Sequence, residues 1–228
     1  MKTMILAAGR GERMRPLTDA CPKPLLPVAG KPLIAWHLER LAAAGLRDIV
    51  INHAHLGHMI EEALGDGAQY GVRIAYSDEG TALETAGGIA NALPLLGDEP
   101  FLVVNGDIFC DFDFTQMPRI AEHLRAQNAL AWLLLIPNPP HHPDGDFYLQ
   151  HHAVTPDAGE RLTFSGIGLY QPELFAEIPR GQRAKLAPLL HDAIAAERVL
   201  GQRHDGLWVD VGTPERLTEL EHTIRTGK

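Results

Sequence analysis

Cysteine is nearly absent from this chain. Its 228 residues include two, Cys21 and Cys110. That is too few for a disulfide framework, and neither belongs to the paired spacing of a zinc site. Aromatic residues contribute only 6%, and basic residues number 20 against 29 acidic ones, for a net charge of −9. A chain of that charge is a poor non-specific partner for nucleic acid. Long apolar runs are missing too. The first, Met4 to Ala8, breaks into a Gly/Arg loop and is too short for a secretory core, and none reaches membrane-spanning length. No internal repeat or low-complexity segment occurs. These absences lead us to expect a cytoplasmic protein with no membrane or nucleic-acid partner. Its oligomeric state is not legible, and a monomer is plausible.

What is present is an ordinary globular composition, 45% hydrophobic and 21% charged. It suits one sizeable core, so a single domain over 1–228 is expected. The pattern is strand, loop, helix, repeated. Strands are expected at Met4–Ala8, Asp48–Asn52, Val72–Tyr76 and Phe101–Asn105. Between them, helices are expected from Lys31-Pro32, with Pro in the first turn, over His55–Leu64, and from a Thr85 cap through Leu93. After a helix over Pro118–Gln127 and a strand over Ala129–Ile136, a loop rich in Pro and His spans 137–145. Shorter strands follow at 147–150, 161–164 and 166–170, then helical pieces at 172–175 and 186–196. A strand at Leu207–Val211 precedes a last helix from Glu215. Such alternation predicts an α/β, Rossmann-like fold: a mixed, mainly parallel sheet flanked by helices in a three-layer sandwich. Ligands on such sheets bind beyond the carboxyl ends of the strands. The loop after Ala8 and the turn Asn105-Gly106-Asp107 both fall there.

The loop after the first strand carries the strongest signal. Gly9 and Gly11 can turn several backbone N–H groups toward one anion. Arg10, Arg13, Arg15 and Lys23 crowd beside them in an otherwise acidic chain. This combination points to a polyphosphate. Arg13 can grip oxygens in a fork, and Lys23 can act as a point charge. Asp107, beside Gly106 at a strand end, is an oxygen ligand suited to Mg²⁺, though an Asx turn would place an aspartate there too. Asp210 could be a second such ligand, or could cap the helix that follows it. The twelve histidines, including His53, His55 and His58, show no metal-ligand spacing.

LAAGRGERMRPLT followed by PKPLLPVAGKPLI resembles the opening of the sugar-1-phosphate nucleotidyltransferases. The resemblance implies transfer of a nucleotidyl group from a nucleoside triphosphate to a sugar 1-phosphate, with Mg²⁺ and a GT-A-like fold. It implies nucleotide contacts from Ala8, Gly9, Gly11, Glu12, Arg13 and Lys23, with Arg13 and Lys23 catalytic. Asp107 and Asp210, the latter in WVDVGTP, match its metal ligands. LETAGG resembles its nucleobase segment, so Gly87 or Gly88 would let a base approach the backbone; Glu84 stands where that family often has glycine. Asn105, Gly145 and Glu160 match positions on its sugar side. The nucleotide half is then about 1–110 and the sugar half about 111–228. ALETAGGI, VVNGDIF and FSGIGLY look most like the uridylyltransferases of bacterial cell-wall recycling, which implies UTP and an N-acetylmuramate 1-phosphate acceptor. A mannose-1-phosphate guanylyltransferase-like enzyme is the alternative, and a non-catalytic nucleotide-sugar sensor on the same fold is another.

Overall fold

A computed structural model describes residues 1–226. In chain order the strands are β1 (Lys2–Leu6), β2 (Pro27–Val28), β3 (Lys31–Pro32), β4 (Asp48–His53), β5 (Arg73–Asp78), β6 (Phe101–Asn105) and β7 (Ile108–Cys110). They continue with β8 (Ala131–Ile136), β9 (Phe147–Gln150), β10 (Ala153–Thr155), β11 (Glu160–Tyr170), β12 (Val199–Arg203) and β13 (Trp208–Asp210). The α-helices are α1 (Leu33–Ala43), α2 (Gly57–Leu64), α3 (Glu84–Leu96), α4 (Met117–Ala126), α5 (Leu186–Ala195) and α6 (Pro214–Thr226).

Nine strands form one sheet in the order β5-β4-β1-β6-β11-β8-β12-β10-β9. The first four run parallel; the inner three, β4, β1 and β6, are apolar runs buried on both faces, while β5 is a largely exposed edge strand. Beyond β6 the sheet is mixed: β11 is antiparallel to both β6 and β8, while β12 is parallel to β8. Strands from the first 105 residues therefore sit on one side of the β6–β11 seam and later strands on the other. Two apolar clusters cover the faces. One gathers Ile5, Ile51, Leu38 and Phe112; the other gathers Met4, Val103, Ile89 and Phe175.

A third, smaller cluster positions the site. Met14, Leu26, Val28, Leu33, Phe109, Val211 and Leu220 pack together. Met14 and Val211 are fully buried. Burying a side chain of this size is worth about 2 kcal/mol. Met14 anchors the turn that carries Arg13, and Val211 anchors the stretch between Asp210 and Gly212. Two segments almost two hundred positions apart in sequence are thus clamped into one wall.

The structure alters several expected boundaries. Lys31-Pro32 does not open a helix: it pairs with Pro27–Val28 in a short hairpin, because Ala29 and Gly30 turn the chain with φ of 49° and 93°. Pro32 stays extended at φ −56°, ψ 143°, and α1 starts at Leu33. The pieces at 161–164 and 166–170 are one strand, β11, whose register with β8 shifts between Phe164 and Gly168, with Gly166 at φ 85°. Residues 172–175 make only a 3₁₀ turn.

One buried group makes the fold sensitive to acid. His37 on α1 is buried, and its Nε2 has no hydrogen-bond partner. Burial, above all, pushes its pKa down from 6.5 to about 4; a backbone bond to Ile108 opposes this and the nearby Arg40 charge adds to it. The unfolded chain takes up this proton at a higher pH than the fold does. Stability from a neutral His37 is therefore intact above 6.5 and lost as pH falls toward 4, at about 1.4 kcal/mol per pH unit. His37→Leu should remove that slope. Urea unfolding of both proteins near pH 7 and near pH 5 checks it, and parallel profiles would refute it.

Candidate active site

A cavity of about 540 Å³ opens at the carboxyl ends of β1, β4, β5 and β6. Its floor is the exit of β1, Leu6 to Gly9. A Cβ on Gly9 would meet nothing within 4 Å, so this backbone faces open space. Gly11 takes φ 66°, and its carbonyl accepts from Thr18 Oγ1 at 2.8 Å and from the Met14 N–H at 2.9 Å. The loop is thereby closed on itself, with Glu12 and Arg13 presented to the cavity. Arg15 instead pairs with Asp19 at 3.1 Å, outside the lining.

Lys23 reaches in from the 3₁₀ turn Lys23–Leu25, and Nζ donates to Asp107 Oδ2 at 2.7 Å. The lysine side chain is only 8% exposed, so its charge needs this partner. Asp107 follows β6 through Gly106, whose N–H donates to the Leu6 carbonyl at 2.9 Å. Asp210 ends β13, the antiparallel partner of β7, where the Val211 N–H donates to the Asp107 carbonyl at 2.9 Å. The two aspartates therefore stand at one end of one strand pair. Asp210 Oδ2 accepts from Arg216 Nη1 at 2.6 Å. Asp107 lines the cavity, and Asp210 stands outside the lining beside Gly212; both offer the hard oxygen ligands that Mg²⁺ prefers, so the donor set fits that ion.

The other end of the cavity rests on residues that the sequence reading missed. Asn52, buried at the end of β4, accepts from the Ala7 N–H through Oδ1 at 2.9 Å and donates through Nδ2 to Glu79 Oε1 at 2.6 Å. Glu79 Oε2 accepts from the Leu83 N–H at 2.8 Å, one residue before α3. Burial raises the Glu79 pKa, against these two bonds. The only hint in the sequence was a polar residue closing a buried strand. Arg183 also lines the cavity, paired with Glu84 at 2.6 Å.

Several sequence-read positions sit elsewhere or act differently. Thr85 does not cap α3. The helix begins at Glu84 and has no side-chain cap bond; Glu84 holds φ 64°, the left-handed region that favours glycine. Gly87 and Gly88 are buried and lie outside the cavity lining. A Cβ on Gly87 would press on the Gln182 carbonyl and come 2.9 Å from the Ala184 nitrogen. One on Gly88 would strike the Glu79 carboxylate and come 3.0 Å from Asn52 Nδ2. Their smallness makes room for neighbouring protein at the positions where a side chain would stand. Asn105 lines the cavity, and Gly166 gives it room: a Cβ there would come 2.7 Å from Asn105 Nδ2. Gly145 and Glu160 are not in the lining. Gly145 turns at φ 63° against Asn138, and Glu160 pairs with Arg203 on β12. Among the described residues, one His/Cys/Asp group gathers its ligand atoms within 4.8 Å, namely Cys110, Asp111 and His204. The Arg40 guanidinium donates to the Cys110 carbonyl, a positive charge that opposes a metal there.

Comparison with known proteins settles the family. The profile of the nucleotidyl transferase family matches residues 2–145. The chain is 61% identical over 225 residues to N-acetylmuramate alpha-1-phosphate uridylyltransferase of Neisseria meningitidis serogroup B, covering 97% of each. This chain belongs to the nucleotidyl transferase family. A second relative of the same name, from Caulobacter vibrioides, is 38% identical, with 96% of this chain and 94% of that protein covered. A crystal structure of a candidate glucose-1-phosphate thymidylyltransferase from Bacillus anthracis superposes with a TM-score of 0.85. It covers 99% of this chain and 96% of its own, but at 23% identity it speaks for the fold alone. Among the described residues, no helix is long and apolar enough to cross a membrane.

Proposed function

We propose that this protein transfers a uridylyl group from UTP to N-acetylmuramate α-1-phosphate, releasing pyrophosphate, in the cytoplasmic recycling of cell-wall sugars. One observation carries the reading above the rest: Gly9, Arg13, Lys23 and Asp107 face one cavity beside Gly212, in a chain 61% identical to a protein of that name. A phosphate oxygen of the sugar phosphate attacks the α-phosphorus in line. The new P–O bond forms as the bond to pyrophosphate breaks, so no protein nucleophile is needed. Positioning and charge stabilisation supply the rate. The bare backbone at Gly9 and the Gly11 turn cradle the phosphates. Arg13 forks their oxygens, and Lys23 sits between them and Asp107. Asp107 and Asp210 would hold Mg²⁺, which neutralises phosphoryl charge when bound. Residues up to about 110 form the nucleotide half, with the nucleoside lying toward Asn52 and Glu79. Asn105 faces the sugar at the seam with the second half.

The test is pyrophosphate release with Mg²⁺, crossing UTP, CTP, GTP and ATP with the 1-phosphates of N-acetylmuramate, N-acetylglucosamine, glucose and mannose. The highest kcat/KM should fall on UTP with N-acetylmuramate α-1-phosphate. Preference for GTP with mannose 1-phosphate, or no release with any pair, would overturn the reading.

A further inference from the structure

Arg216 belongs to no motif in the sequence, and it stands just outside the cavity lining, against Gly212, which is part of that lining. It lies in the first turn of α6, where its N–H donates to Thr213 Oγ1 at 3.4 Å. Its side chain is 18% exposed. Nη1 donates to Asp210 Oδ2 at 2.6 Å and to His141 Nε2 at 3.0 Å. Nη2 lies 2.7 Å from the point where a Cβ on Gly212 would stand. Arg13 Nη2 lies 3.1 Å from that point, and Asp210 Oδ1 3.0 Å. Two guanidiniums and one carboxylate thus converge on a single bare glycine whose backbone lines the cavity. Like charges so close repel unless an anion is shared between them. In the free protein Asp210 pairs with Arg216 alone of the two, and Arg13 is left facing the cavity.

We propose that Arg216 is the built-in counter-ion of Asp210, exchanged for the divalent cation, and that its freed guanidinium then joins Arg13 on the phosphates. The proposal rests on the reading of Asp107 and Asp210 as the metal carboxylates. The symmetry of the site supports it. Lys23 holds Asp107 as Arg216 holds Asp210, and each cation is poised beside the wall where the triphosphate would lie. His141 gives the guanidinium a second acceptor, so it stays in the site when Asp210 is taken. Gly212 leaves room for the guanidinium to turn.

The first readout is binding, without turnover. Mn²⁺ titration of the nucleotide-free protein, followed by electron paramagnetic resonance, should show Arg216→Gln binding Mn²⁺ about tenfold more tightly than wild type. In the same variant, calorimetric UTP affinity at saturating Mg²⁺ should fall about tenfold, because a phosphate ligand is gone. Arg216→Lys keeps a cation there and should restore the wild-type Mn²⁺ affinity. An unchanged or weaker Mn²⁺ affinity in Arg216→Gln, or an unchanged UTP affinity, would overturn the proposal. Asp210→Asn separates the two levels. If it weakens Mn²⁺ binding while Arg216→Gln changes nothing, only the role of Arg216 fails. If it leaves Mn²⁺ binding intact, the carboxylate reading fails and this proposal with it. Nucleotidyl transfer is measured apart from both.

Discussion

Asp107→Asn should lower kcat by roughly 10³-fold at saturating Mg²⁺ while leaving the fold intact, a loss of about 4 kcal/mol of transition-state stabilisation. The substitution is chosen for what it keeps. An Asn side-chain oxygen can still accept from Lys23 Nζ, which now bonds Asp107 Oδ2 at 2.7 Å. It therefore keeps the hydrogen bond of a lysine whose side chain is 8% exposed, though not its charge partner. What it removes is a full negative charge at the proposed metal site. The main chain would stay pinned, since the Asp107 carbonyl accepts from the Val211 N–H at 2.9 Å whatever the side chain. Turnover at rising Mg²⁺, with thermal unfolding alongside, checks it. Near-normal activity at saturating metal, in a protein of unchanged stability, would remove Asp107 from the metal site. Lys23→Met is a useful companion: if Lys23 and Asp107 act as one unit, the double variant should lose far less than the product of the single losses.

How much of this was legible in the sequence follows from how local each signal is. The parallel strands β1, β4 and β6 are continuous apolar runs bounded by turn residues, so they could be read from composition within a few positions. The glycine loop, with Arg13 and Lys23, could be read because its cations and its backbone freedom are neighbours in the chain. Asp107 and Asp210 stand in recognisable motifs, but their proximity is a property of the β7–β13 pair, which no local pattern announces. The misses have one cause. Asn52 and Glu79 act through partners on other elements, and Arg216 through Asp210 across a turn and His141 from a distant loop, so each alone looks like a routine polar residue. Gly87 and Gly88 show the reverse case. A glycine pair reads as an open backbone, yet packing had already filled that space with Gln182 and Glu79. Glu84 is of another kind: its φ of 64° explains why glycine suits the position, and its pair with Arg183 shows what this chain uses instead.

Gly106→Ala should cost about 3 kcal/mol of stability, lowering Tm by roughly 5–10 °C, and should reduce kcat by roughly 10²-fold in the protein that still folds. Its φ is not left-handed, so alanine is acceptable in conformation, and the difficulty is contact. A Cβ at this position would stand 2.6 Å from the Leu6 carbonyl oxygen and 3.3 Å from Ile5 Cγ2. The carbonyl is main chain, at the end of the interior strand β1, and cannot swing aside as a side-chain tip would. It is also the acceptor for the Gly106 N–H at 2.9 Å, so relief of the clash lengthens the bond that ties Asp107 to the exit of β1. The distance between the carboxylate and the phosphate loop is therefore set at Gly106, and displacing it shifts one half of the charge machinery against the other. Gly9→Ala is the matched control. Its Cβ would meet nothing within 4 Å, so unfolding should be near wild type and any loss should appear in nucleotide affinity. Urea unfolding and steady-state kinetics on both variants separate the two roles. A Gly106→Ala protein as stable and as active as wild type would mean that contact between these strand ends does not govern the geometry of the site.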